Sequence, residues 1–225
     1  DGDENSELMK LYRHITSHLV GDDRLYLYDI SRTEGVCTVL TLLRNDDPES
    51  YGLVTATASH TDPQCALLKS LEELCLSQYY AYKKLYSSPQ TMDEIRNMKE
   101  SDVTNLLSHF YYYGTGARSH AFDFISESQE SIRLREMPCE TAGLNDSECL
   151  SHLVSLFKSQ GRRVYSVNLT RPEVAACDLA VFSAAIPGYN DLDLSHERRL
   201  LRNQRLLEFQ KRYNRPIQDA PHPFP

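Results

Sequence analysis

A chain of 225 residues with 40% apolar and 25% charged side chains, 9 Gly and 10 Pro is long enough to enclose a sizeable core. That composition excludes collagen-like, low-complexity and wholly disordered chains, and apolar runs such as Leu179-Ala180-Val181-Phe182 are far too short to span a membrane. With 24 Lys plus Arg against 32 Asp plus Glu, a formal charge of −8, the chain is a poor candidate for nucleic-acid binding, which needs a cationic surface.

In chain order, Leu8, Leu11, Tyr12, Ile15 and Leu19 recur at helical spacing over residues 5–20, and Gly21 is a natural stop. Residues 25–30 and 36–43 read as strands joined by a polar turn, and 51–59 as a third extended stretch. Asp62-Pro63 supplies an N-cap followed by proline at the first helical position, opening a helix to about Tyr82 with Ala66, Leu67, Ser70, Leu71 and Leu74 along one stripe. Residues 87–99 carry a weak signal. Ser101-Asp102 is expected to cap a helix through Leu106, Leu107, Phe110 and Tyr111, ending near Gly114-Thr115-Gly116. After a mixed polar stretch, 118–146, Ser147 is expected to cap a helix stopped by Gly161. Strands follow over 164–169 and 178–186, then one helix from Ser195 to about Tyr213, and an extended tail from Pro216. The alternation predicts an α/β (α+β) layered fold, a mixed sheet flanked by helices, in a single domain over 1–225.

Six dispersed cysteines without a CxxC pair read as reduced thiols of a cytoplasmic protein, and Asn168-Leu169-Thr170 as a chance match to the glycosylation pattern. His14 and His18 share a helix face without a third ligand, which suits a surface pair. Gly114-Thr115-Gly116 suits a helix-end turn better than a phosphate cradle. The arginines at 198, 199, 202 and 205 make a basic helix, either a solvated face or a dock for acidic groups. Lys69, Ser70 and Glu73 are spaced to share a helix face. A carboxylate so placed can hold magnesium, with a surface salt bridge to Lys69 as the plain alternative. The terminal Pro221-His222-Pro223-Phe224-Pro225 cannot form a helix or a central strand, and its stiffness implies that it docks.

Three segments together resemble the YcaO domain, and within it the azoline-forming cyclodehydratases of thiazole/oxazole-modified peptides. They are Asp62-Pro63-Gln64-Cys65-Ala66-Leu67-Leu68-Lys69-Ser70-Leu71-Glu72-Glu73; residues 161–173 with the apolar strand ending in Pro187-Gly188; and the terminal PxPxP. Ser108-His109-Phe110-Tyr111-Tyr112 adds a weaker match. The resemblance implies ATP- and magnesium-dependent conversion of Cys, Ser or Thr in a ribosomal precursor peptide to thiazoline or oxazoline, phosphorylation turning the amide oxygen into a leaving group. It further implies a tail over 216–225 that docks at the active site, with Pro221, Pro223 and Pro225 at the catalytic centre. Lys69, Ser70 and Glu73 would bind nucleotide, and Glu73 the metal. The implied partners are the precursor peptide, a leader-binding E1-like or related accessory protein and a second copy in a homodimer. The family's usual polar residue three after the helix glutamate is here Leu76, and its arginine four before the strand's PG is here Ser183. The family's first acidic and phosphate-binding motifs are not found, so the chain is expected to be the C-terminal part of a longer enzyme. These departures also admit a non-catalytic scaffold that binds precursor peptide or activates a partner enzyme; thioamide formation is a related reading that generally lacks such a tail.

Overall fold

The computed structural model describes residues 6–33, 35–85, 87, 89–127, 130–189 and 192–224. The chain divides into two compact units, one of residues 1–142, 193–199 and 219–225, the other of 143–192 and 200–218. No local composition shift marks the division, because two segments of the second unit are separated in sequence by a strip of the first.

The first unit begins with α1 (Glu7–Ser17), whose N-cap Ser6 accepts from the Met9 amide at 3.3 Å. The strands β1 (Arg24–Asp29), β2 (Cys37–Arg44) and β3 (Leu53–His60) form an antiparallel sheet in the order β1-β2-β3, in a register that pairs Leu25 with Leu43 and Leu43 with Val54. Across its face runs α2 (Pro63–Leu85), opened as its sequence predicts: Asp62 Oδ1 accepts from the Gln64 amide at 2.8 Å. Leu71 and Leu74 are fully buried, each contributing ~2 kcal/mol of apolar burial. The core continues through Leu43, Tyr51, Val54 and Ala56 to Ile95 of α3 (Pro89–Asn97) and Phe110 of α4 (Leu106–Tyr112). The cap of α4 is Asn105 rather than Ser101. Its Oδ1 accepts from the Ser108 amide at 3.0 Å, and Ser108 Oγ accepts from the Asn105 amide at 2.9 Å, a reciprocal box. Residues 100–102 form a separate 3-10 turn.

Gly114-Thr115-Gly116 is the turn that ends α4, with the Gly114 amide donating to Tyr111 O at 2.8 Å. It packs backbone to backbone on the loop before β3. A Cβ on Gly52 would overlap the Thr115 carbonyl, and one on Gly116 the Asp47 carbonyl. Neither obstacle is a side chain that can swing aside. Gly52→Ala is therefore expected to destabilise the unit by about 3 kcal/mol, read from urea unfolding.

The second unit holds α5 (Asp146–Ser159), β4 (Tyr165–Asn168), α6 (Pro172–Ala175), β5 (Phe182–Ala185) and α7 (Gln204–Tyr213). Asn145, not Ser147, caps α5 in a box with Glu148. The strand expected over 178–186 is confined to β5, since Asp178 turns with φ 56°. Antiparallel β4 and β5 pair Tyr165 with Ala185, and no described residue of this unit is buried; Val167 and Phe182 are more than half exposed. The helix expected from Ser195 is instead a 3-10 turn (His196–Arg198) followed by α7, which starts at Asn203, whose Oδ1 accepts from the Arg205 amide at 2.8 Å.

The α/β class with helices flanking the sheets is as the sequence indicates. Both sheets are antiparallel among the described strands rather than mixed. β1 to β2 and β2 to β3 follow through short loops, whereas parallel neighbours need a long crossover. The six cysteines are free thiols, and no helix among the described residues is long and apolar enough to cross a membrane.

Candidate active site

The end of the chain docks in the first unit, on a cradle built by β3 and α4. An Xaa-Pro sequence offers few amide donors but keeps every carbonyl, so a matching surface must supply donors. Three side chains do so for three consecutive residues. Tyr113 Oη donates to Pro221 O at 2.7 Å, His109 Nδ1 to His222 O at 3.2 Å and Thr55 Oγ1 to Pro223 O at 2.8 Å. Pro221 is buried, His109 and Thr55 are almost wholly buried, and Tyr113 nearly so. The tail is also held before and beside these contacts. Asp219 is ion-paired with Arg199, and His222 Nε2 donates to Asp193 O at 2.7 Å. The His222 ring lies on that of His109 with centroids 3.7 Å apart and planes 6° apart. Burial keeps the Tyr113 hydroxyl protonated and able to donate by raising its pKa well above the ordinary value.

Of the residues singled out in the sequence, Pro221 and Pro223 lie in this cradle, and Pro225 lies outside the described residues. The α2 trio does not act as one face. Lys69 and Glu73 are exposed, whereas Ser70 is fully buried among the core stripe. Its hydroxyl meets Thr41 Oγ1 at 3.0 Å and donates toward Ala56 O at 3.2 Å, tying α2 to the sheet. That hydroxyl is committed to the core, so Ser70 does not fit a nucleotide ligand. Among the described residues no group of three or more His, Cys, Asp or Glu side chains is placed to hold a metal ion. Magnesium bound between carboxylates and phosphates needs several oxygen ligands. Glu73 can supply one, and a complete magnesium–nucleotide site does not fit the described residues alone. Arg199 leaves the expected basic helix to anchor the tail.

Thr55 and Tyr113 carry no motif that sequence reading could use, and His222 is an unspecified position within the PxPxP tail. His109 falls in the 108–112 segment whose resemblance was weak, and its role depends on the tail arriving 113 residues later.

The chain matches, over residues 5–190, the family model described as YcaO cyclodehydratase, ATP- and Mg2+-binding. Solved structures share its fold. A heterocyclase in complex with substrate and cofactor aligns with TM-score 0.58 at 15% identity, covering 97% of this chain and 26% of that one. The heterocyclase TruD aligns at 0.53 and 17%, covering 84% and 23%, and the YcaO of Methanopyrus kandleri bound with AMPPCP and Mg2+ at 0.51 and 21%, covering 83% and 44%. The chain thus spans less than half the length of each of these structures. No curated protein matches it.

Proposed function

From the premise that the chain belongs to the YcaO family, we propose that it is the C-terminal part of an azoline-forming peptide cyclodehydratase, whose docked tail orders the reaction centre. The observation that carries this reading is the cradle, in which three buried donors meet three successive tail carbonyls. Order of this kind positions reacting groups, and positioning is worth large rate factors. The tail lies beyond the family match, so its place at the reacting centre rests on this donor set and on the resemblance of its PxPxP sequence.

The reaction is attack by a Cys, Ser or Thr side chain of a ribosomal precursor peptide on the preceding amide carbonyl, then loss of one water to give thiazoline or oxazoline. ATP with magnesium supplies the activation of the departing oxygen in this family. A site for them draws on more than the described residues, and Glu73 is this chain's proposed carboxylate toward the ion. The proposed partners are the precursor peptide, a leader-binding E1-like accessory protein and a second copy of the chain. The test is mass spectrometry of a Cys/Ser/Thr-rich precursor peptide incubated with the full gene product, its accessory protein, ATP and magnesium. Loss of one water per ring, dependent on ATP, is expected. Peptide binding with no mass change would instead support the scaffold reading, which Leu76 and Ser183 favour.

The same assay tests Glu73. Its side chain is exposed, so Glu73→Gln is expected to leave folding and peptide binding unchanged while lowering ATP-dependent turnover at least about tenfold. Equal losses in binding and turnover would assign the residue a structural role.

A further inference from the structure

The hydrogen bonds around the stacked rings determine where each imidazole carries its proton. Asp193 O can only accept, so His222 carries its hydrogen on Nε2. Its Nδ1 is then a lone pair, which accepts from the Phe224 amide at 3.4 Å. His222 O can only accept, so His109 carries its hydrogen on Nδ1, and His109 Nε2 is buried with no hydrogen-bond partner among the described residues. A second proton on His109, at Nε2, would place a charge in a buried site against the His222 ring 3.7 Å away.

We propose that His109 is the positioning residue of the tail over residues 221–224 and holds it only while its own imidazole is neutral, so that acid loosens the tail. The charged and titratable groups around the pair are identifiable on each packed element. His196 of the 193–199 strip stands 3.4 Å from Glu100 Oε2 of the preceding 3-10 turn and disfavours a further positive charge. Asp193 favours one, and Tyr113, the residue that caps the end of α4, stays neutral. Asp219 is already neutralised by Arg199. Burial first, and the His222 ring second, hold the His109 pKa down, from 6.5 to about 4. The sign follows from linkage. A released tail lets His109 regain ordinary basicity, so the undocked state takes up the proton. Docking is then fully present above the undocked pKa and is lost as pH falls below it, by up to about thirtyfold at about pH 5.

Only the consequence for turnover rests on the proposed function; the docking itself is read directly. The full chain, with 4-fluorophenylalanine in place of Phe224, is followed by fluorine NMR from about pH 8 to about pH 5, with circular dichroism recorded in parallel. A docked resonance at the upper pH that gives way in growing proportion to a free-tail resonance as pH falls from 6.5 to about 5, while the dichroism holds, is the expected result. His109→Phe keeps a ring to stack but no donor and is expected to show a free-tail fraction raised about fivefold at the upper pH, with no further rise in acid. His109→Asn keeps an N–H near the Nδ1 position and is expected to dock with a weaker acid response. A tail that stays docked throughout, or a His109→Phe chain that docks like the parent, overturns the proposal. Should His109→Phe fail to fold, the pH series of the unsubstituted chain decides alone. Turnover measured on the same samples separates the two readings. Release with activity intact sustains the latch and removes the tail from the reaction, whereas acid loss of activity with the tail still docked overturns the latch.

Discussion

Deleting residues 221–225 is expected to lower azoline formation at least about a hundredfold, the scale on which misplaced catalytic groups lose rate, while the far-ultraviolet dichroism stays that of the intact chain. The structure separates these two effects. The tail contributes no strand or helix, and the elements it touches, β3 and α4, are held by their own ladder, caps and core. Its removal takes away four side-chain hydrogen bonds and a ring stack, about 4 kcal/mol at most, part of which Thr55, His109, Tyr113 and the Asp193 carbonyl recover by bonding to water. Melting therefore shifts by a few degrees and the fold persists. The ordered carbonyl line itself has no substitute. The prolines contribute through the free chain, because a segment already confined to extended backbone loses little entropy on docking. Mass spectrometry of the precursor peptide reads the outcome, and full activity after the deletion would reduce the tail to packing.

How much of this was legible beforehand depended on how far apart in sequence the cause and the effect lie. Asp62-Pro63 and the α2 stripe were readable because a cap and a 3.6-residue period are local, and the structure holds both. The caps at Asn105 and Asn145 were misplaced by a few residues because Ser, Asp and Asn neighbours compete for the same role. The Asn residue that also offers a reciprocal partner three positions on took it in each case. Ser195–Tyr213 read as one helix from its spacing, yet the segment breaks because Arg199 is drawn to Asp219 and Asn203 restarts the helix. Ser70 illustrates the limit of face arguments. Its position fits both the apolar stripe with Leu71 and Leu74 and a face shared with Glu73, and the contact with the Thr41 hydroxyl of β2 places it on the stripe. The docking of the tail was foreseeable from its stiffness. The identity of its receptor was not, since Thr55 and Pro223 are 168 residues apart.

The cradle depends in turn on a residue that no motif marks. Arg118 follows the turn after α4, and its guanidinium donates to four carbonyls: Nη1 to Ile95 O at 2.9 Å and Tyr112 O at 2.6 Å, Nη2 to Arg96 O at 3.1 Å and Met98 O at 2.7 Å. Its plane also lies over the Tyr112 ring, 4.4 Å from the centroid. These carbonyls lie in the last turns of α3 and α4 or, for Met98, one residue past α3, where helices run out of internal donors and where a cation suits the negative end of the helix dipole. One planar fork thus ties both helix ends together, which a lysine's single ammonium cannot reproduce. Arg118→Ala is expected to cost about 3 kcal/mol or more in urea unfolding, since bonds from a charged donor are each worth more than neutral ones and four carbonyls lose a partner at once. Arg118→Lys should recover less than half of that. The effect should also reach the tail, because His109 and Tyr113 belong to the helix and turn whose end Arg118 fixes. Fluorine NMR at Phe224 under conditions where the variant remains folded should show a partly free tail with unchanged tautomers at the docked fraction. A variant destabilised to that extent whose tail stays fully docked would show that the cradle is held by the core alone, through Phe110 and its neighbours, and that the helix-end clamp serves stability only.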